Sequence, residues 1–181
     1  MADRDILEVD VLVVGAGVAG LACAIHVHDR IDAVNRTNPD RKYPKPNILV
    51  LEKGPSVGAH VLSGCVLDPR GLDELIYDWP VKGAPVTQRV EEEEVALLTP
   101  TGKLVVPPPL VPPYLRNEGN WIVSLCELTE WLGAQARKRG IDILENTAGA
   151  ELITYEDTVL GVICGDSGLG KDGKPTASHQ P

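Results

Sequence analysis

The stretch from Asp10 to Gly20, DVLVVGAGVAG, leaves this chain few folds to choose from. Four consecutive apolar β-formers, Val11 to Val14, run directly into Gly15, Gly17 and Gly20, and the helix-compatible residues Leu21 to Ile25 follow. The order predicts a strand, a glycine turn and the start of a helix. Gly15 lets the chain turn sharply, Gly17 has no Cβ to hold a pyrophosphate off the backbone, and Gly20 lets the helix lie close to its strand. The N–H groups of the first helical turn, reinforced by the helix dipole, then face the phosphates.

A dinucleotide site needs a second element. The helix is expected from about Gly17 to Val34, with Ala24, Ile25, Val27, Ile31 and Val34 as its apolar stripe. His26 and His28 stand two apart and share no helix face, so they read as solvated or core-edge residues and not as a metal pair. A polar, proline-bearing connection over Arg36 to Asn47 leads to a second buried strand, Ile48 to Leu51, ending in Glu52. A carboxylate at that strand tip can accept hydrogen bonds from an adenosine ribose, and an acid there favours a free hydroxyl, as in FAD or NAD, over a 2′-phosphate. Glu52 lies 37 positions after Gly15, against a usual gap of about 20. The proline-bearing connection accounts for the excess.

Composition limits the alternatives. A chain of 181 residues supports one sizeable core. Phenylalanine is absent and aromatic residues make up only 4%, so Val, Leu, Ile and Ala must fill that core. The net charge of -9 argues against a nucleic-acid surface. The basic run Arg137-Lys138-Arg139 is explained by a helix C-terminus. Cys23, Cys65, Cys126 and Cys164 are far apart and read as reduced, mostly buried thiols of an intracellular protein. Met1 to Asp5 shows neither an apolar signal region nor an Arg/Ser-rich amphipathic stretch, and no apolar run approaches the roughly 20 residues that span a bilayer.

The remaining segments read in order. Lys53 to Pro69 is almost uncharged across its middle and must be covered by another element, a cofactor or a membrane surface. Asp68-Pro69 opens a short helix through Tyr77, with the proline at its first position. Glu91 to Leu98 and Lys103 to Val106 read as strands around Pro100-Thr101-Gly102, with Glu91 to Glu94 a solvated edge. Pro107 to Pro109 and Pro112-Pro113 form a stiff, extended connector. Trp121 to Val123 is a strand, followed by a helix with a capping box over Ser124 to Glu127, an apolar face of Leu125, Leu128, Leu132 and Ala136, and Gly140 at its C-cap. Ile141 to Leu144 is a third parallel-type strand, Glu151 to Tyr155 and Val159 to Cys164 form a hairpin, and residues 165–181 are loop or frayed end.

The composite of Val11 to Gly20, Glu52, the loop Gly58 to Gly64 (GAHVLSG) and Gly119 to Val123 resembles the N-terminal part of the electron-transfer flavoprotein:ubiquinone oxidoreductase family. Leu67-Asp68-Pro69, Trp79, Lys82 to Val86, Trp131-Leu132-Gly133 and Lys171-Asp172-Gly173 fall in the family's order, so the resemblance runs from about Glu8 to Lys174. It implies an α/β, Rossmann-like FAD/NAD(P)-binding fold with inserted β-strands, present as an incomplete, N-terminal fragment. Residues 1–181 would be a portion of the FAD-binding domain, with an apolar membrane- and flavin-contacting loop at 53–74 and a β- and proline-rich insertion at 79–118. The quinone and iron–sulfur regions would be absent.

By the same resemblance, FAD contacts fall on Val14, Gly15, Ala16, Gly17, Val18, Ala19, Gly20, Glu52, Lys53, Ser63 and Gly64. No catalytic or metal-ligating side chain is implied, and His60 reads as structural. The parent enzyme passes electrons from reduced electron-transfer flavoprotein through a [4Fe-4S] cluster and FAD to ubiquinone. It does so as a monotopic protein on the mitochondrial inner membrane or the bacterial cytoplasmic membrane, with the cluster held by the C-terminal part. Ser124 stands where related flavoproteins often carry an Arg aimed at the cofactor. Two alternatives stay open: another FAD-dependent reductase or monooxygenase of the same fold, and an inert nucleotide-binding fragment.

Overall fold

The computed structural model describes residues 5–38, 40, 42–62, 64–169 and 175–180. In chain order the strands are β1 (Val11–Val14), β2 (Ile48–Leu51), β3 (Cys65–Leu67), β4 (Gln88–Arg89), β5 (Ala96–Thr99), β6 (Gly102–Val105) and β7 (Trp121–Val123). They continue with β8 (Asp142–Leu144), β9 (Gly149–Tyr155), β10 (Thr158–Cys164), β11 (Ser167–Leu169) and β12 (Pro175–Gln180). The helices are α1 (Val18–Thr37), α2 (Arg70–Leu75) and α3 (Leu125–Lys138). The chain divides into two compact units, residues 1–62 with 126–181, and residues 63–125.

The first unit is built on a parallel sheet in the order β1-β2-β8, with Val14 opposite Leu51 and Leu51 opposite Leu144. The central strand β2 is buried at every position, as a parallel strand covered on both faces requires. Leu21, Ala24 and Ile25 of α1 and Leu128, Leu132 and Ala136 of α3 complete the core. The helix stripe differs from the expected one. The buried face of α1 is Leu21, Ala24, Ile25 and His28, while Val27, Ile31 and Val34 are only half-buried. Those four residues follow the i, i+3, i+4, i+7 rule from Leu21, and that geometry places a histidine in the core.

Helix α3 ends as its residues dictate. Gly140 has φ +77°, and the Ile141 N–H returns to the Ala136 carbonyl at 3.2 Å. The expected hairpin is present as antiparallel β9 and β10, turning at Glu156-Asp157. The expected frayed end differs. Ser167 pairs with Gln180 and Leu169 with Pro175 in an antiparallel β11/β12 pair. Lys171-Asp172-Gly173 lie outside the described residues.

In the second unit β7 is the centre of an antiparallel sheet in the order β3-β7-β4, and β5 and β6 form a hairpin turning at Pro100-Thr101. Its buried residues gather around Trp79, which donates from Nε1 to Asp73 Oδ1 at 2.7 Å. Its ring stands edge-on to Trp121, with centroids 5.8 Å apart. Three expectations are corrected here. Glu91 to Val95 is irregular, because Glu93 accepts from the Asn117 backbone and side chain and Glu94 pairs with Lys103; the strand begins only at Ala96. The proline run is not extended throughout. It folds into 3₁₀ turns at Pro108–Leu110 and Pro113–Leu115, while Pro107 and Pro112 ahead of them keep ψ of 138° and 143°. Helix α2 stops at Leu75 instead of Tyr77, and Pro69 stands before it, not within it.

The cysteines differ from expectation in burial. None of the four is in a disulfide, but Cys23 is exposed and the other three are half-exposed. Among the described residues no helix is long and apolar enough to cross a membrane.

Candidate dinucleotide-binding site

The three glycines of the turn answer three separate demands. Gly15 has φ +104°, a conformation that side chains disfavour, and its N–H donates to the Leu51 carbonyl at 2.8 Å. A Cβ on Gly20 would stand 2.0 Å from the Gly15 carbonyl oxygen and 3.2 Å from Val13 Cγ1, so α1 meets β1 at a distance only glycine permits. Gly17 is different. A Cβ there would meet nothing within 4 Å, and its φ of -73° and ψ of 174° suit any residue. The chain itself therefore does not demand glycine at position 17, whereas a ligand lying on the backbone would.

Gly17 is the residue that precedes α1, and no acidic side chain occupies the first turn of that helix. The N-terminal N–H groups of a 20-residue helix, with no acid in their own first turn, make an end that can attract an anion. Ala16 is buried, and Val14 beside the turn is exposed. The turn thus presents backbone donors over an apolar step.

Glu52 reaches this turn across the sheet. Its Oε2 accepts the Ala16 N–H at 3.0 Å, and its Oε1 accepts the Gly54 N–H at 2.7 Å. These bonds fix the carboxylate plane, and each oxygen retains a second lone pair for a ribose hydroxyl. Lys53 is exposed beside it. Val14 to Gly20 and Glu52 to Gly54 are therefore brought together. Gly64, with φ +86°, belongs to the second unit, and Ser63 lies outside the described residues.

The loop after Glu52 is covered only in part. Gly54, Val57 and Gly58 are buried, while Ala59, His60 and Leu62 are exposed, Leu62 by 90%. Its anchor is Glu145, which the residue pattern did not single out. Glu145 Oε1 accepts the Val57 N–H at 3.0 Å and Arg137 Nη2 at 2.8 Å. Those two donors, the backbone N–H first, hold its carboxyl below the usual range. The one signal in the residues is that β2 and β8 each end in Leu and are followed by Glu, at Leu51-Glu52 and Leu144-Glu145.

A second cluster joins the middle of α1 to the C-terminal end of α3. Asp29 accepts from Arg139 Nε and Nη2 at 2.8 and 2.9 Å and contacts His28 Nδ1 at 3.0 Å. Burial pushes the Asp29 carboxyl up, but the bonds from Arg139 and His28 prevail and hold it below its ordinary value. No group of three or more His, Cys, Asp or Glu among the described residues could hold a metal ion.

A parallel sheet with a glycine turn opening onto a helix, and an acid on the adjacent strand, defines a dinucleotide-binding α/β fold. Solved structures refine the class. A geranylgeranyl bacteriochlorophyll reductase-like protein from Thermoplasma acidophilum superposes over 86% of this chain and 34% of its own, with a TM-score of 0.57 and 19% identity. CtdE, solved in complex with FAD, superposes over 87% of this chain and 35% of its own, with a TM-score of 0.56 and 22% identity. The fold is thus the Rossmann-like one of FAD-binding flavoprotein oxidoreductases.

No family model matches the chain. Individual relatives do. It is 39% identical over 181 residues to a probable electron transfer flavoprotein-ubiquinone oxidoreductase of Acinetobacter baylyi, covering 99% of this chain and 30% of that protein. It is 40% identical over 168 residues to the mitochondrial electron transfer flavoprotein-ubiquinone oxidoreductase of Caenorhabditis elegans, covering 92% of this chain and 26% of that protein. The chain is a sequence relative of the electron transfer flavoprotein-ubiquinone oxidoreductases, matched to their N-terminal part. It spans about 30% of the length of the curated relatives it matches.

Proposed function

We propose that the chain binds FAD as the N-terminal part of an oxidoreductase that passes electrons from reduced electron-transfer flavoprotein to ubiquinone. The observation that carries the binding step is Gly17: the chain leaves open the space where a Cβ would stand, at the N-terminal end of α1. The relatives' names support the electron path.

The pyrophosphate lies on the N–H groups of the first turn of α1, where the helix dipole offsets its charge. Glu52 accepts from the adenosine ribose and orients that end of the cofactor. Val14, Ala16, Val18 and Ala19 shape the backbone around the phosphates, Lys53 flanks the ribose, and Ser63 and Gly64 are the proposed contacts nearer the flavin. Bound FAD supplies the redox chemistry, so no side-chain nucleophile or acid–base pair is required. In this reading a [4Fe-4S] cluster belongs to the part of the relatives that this chain does not span.

The segment 53–74 supplies the membrane-facing surface. Its Leu62 is 90% exposed, an apolar side chain available to an apolar interface. The protein would sit as a monotopic flavoprotein on the mitochondrial inner or bacterial cytoplasmic membrane.

The test is the visible spectrum of the purified chain after incubation with FAD and gel filtration, with NAD as the control. Flavin bands should travel with the chain, and Gly17→Val should abolish them while circular dichroism stays unchanged. A folded, colourless wild-type chain, or unchanged flavin content in the variant, overturns the assignment.

A further inference from the structure

The ribose carboxylate is held by a relay that begins at the end of the neighbouring strand, β8. The chain entering and leaving Glu52 is laced to the β8–β9 connection: the Glu52 N–H donates to the Leu144 carbonyl, and the Asn146 and Thr147 N–H groups donate to the Gly54 and Glu52 carbonyls, each at 2.8 Å. Farther along the same loop, the Val57 N–H ends on Glu145 Oε1, which Arg137 of α3 also engages. Val57 is 3% exposed and packs against Gly133, where a Cβ would come within 3.0 Å of Val57 Cγ1. Gly58 (φ +88°) comes equally close to α3, since a Cβ there would be 3.0 Å from the Cys126 carbonyl. The loop is thus clamped at Glu145 and against α3, and the Gly54 N–H that orients Glu52 Oε1 sits inside the clamped stretch.

We infer that Glu145, braced by Arg137, is a positioning residue for the adenosine-ribose carboxylate, acting on Glu52 through the loop from Gly54 to Val57; this rests on the FAD-binding reading above. Glu145 supplies a charged acceptor to one backbone N–H, a bond stronger than one between neutral groups. Removing that acceptor frees Val57, loosens Gly54, and lets the Glu52 carboxylate leave Ala16. The consequence is a specific loss of discrimination at the ribose, not a general loss of the fold.

Two measurements on the whole chain test this. The first needs no cofactor: amide hydrogen exchange in the wild type, Glu145→Ala and Glu145→Gln. Glu145→Ala should raise exchange at Val57, Gly54 and Ala16 by about tenfold, as loss of a hydrogen bond to a charged group implies. The β2 interior should be unchanged, and Glu145→Gln, which keeps an acceptor oxygen, should restore most of the protection. Faster exchange confined to Val57 overturns the relay. The second compares affinity for FAD with affinity for an FAD analogue lacking the adenosine 2′-hydroxyl. The wild type should prefer FAD, and Glu52→Ala and Glu145→Ala should both lose the preference. A preference kept in Glu145→Ala, with both ligands equally weakened, reduces Glu145 to a structural role and overturns the proposal. A wild type without preference, or Glu52→Ala without effect, removes the ribose role of Glu52, while the exchange data still decide whether Glu145 holds the Glu52 carboxylate on Ala16.

Discussion

The two units use similar apolar residues to opposite ends. In residues 1–62 with 126–181, a parallel strand is sealed from Ile48 to Leu51 beneath helices that contribute Leu21, Ile25, Leu128 and Leu132. In residues 63–125, a tryptophan-centred cluster is buried while Leu97, Leu98, Leu104, Leu110 and Tyr114 stand largely in solvent. Strand type explains the contrast. A parallel strand joined through helices is covered on both faces, whereas a hairpin satisfies its own hydrogen bonds and can leave a face open. The β9/β10 hairpin behaves like the second unit, with Leu152, Tyr155 and Leu160 exposed.

The contrast is most easily broken at Trp79. Trp79→Ala should cost about 4 kcal/mol in chemical denaturation, with exchange protection lost in 63–125 and kept in β2. A loss below about 1 kcal/mol would mean that the second unit has no core of its own. The next largest effect sharpens the first unit. Gly20→Ala must move a backbone carbonyl and should cost about 3 kcal/mol, whereas Gly17→Ala, which trades an N-cap preference against lower unfolded-state entropy, should cost no more than about 1 kcal/mol. Equal penalties would erase the distinction between a glycine required by packing and one reserved for a ligand.

Arg139→Ala comes third. The side chains of Arg139 and Asp29 are 16% and 39% exposed, so solvent weakens the pair and the expected cost is about 1–2 kcal/mol. The sign with pH follows from Asp29, whose carboxyl is held below its ordinary value. Its contribution is complete above the ordinary carboxylate range and disappears as pH falls through the depressed value. The variant should therefore lose stability at neutral pH and differ little from wild type in strong acid, as urea midpoints at several pH values will show. The smallest effect belongs to the open hairpin: Leu98→Ser, at a residue 77% exposed, should change stability by less than about 0.5 kcal/mol.

Legibility in the sequence followed the same division. The glycine turn, the three parallel strands and the β9/β10 hairpin could be read because each answers a local demand of spacing or period. The buried face of α1 shares only Ala24 and Ile25 with the apolar stripe, because His28, a polar residue, occupies a position that geometry assigns to the core. The proline run departs from an extended connector because a fixed φ serves extended and 3₁₀ backbone alike. Arg116 donates to the Val111 carbonyl at 3.0 Å and helps hold the turns, a contact that no local pattern shows. In the site, Glu52 was legible from its strand. Glu145 was not, because its partner Val57 lies 88 positions away and engages it through a backbone N–H, which leaves no mark on residue type.

The 37 positions between Gly15 and Glu52 carry a practical consequence. The two ends of that excursion meet by strand register, Val14 opposite Leu51, and by the bond from Ala16 to Glu52. The length of the connection between α1 and β2 is therefore a free variable for the protein engineer. Doubling a flexible connection costs only about 0.6 kcal/mol, so a reporter or affinity tag inserted at exposed Asp40 should leave the binding end of the sheet unaltered.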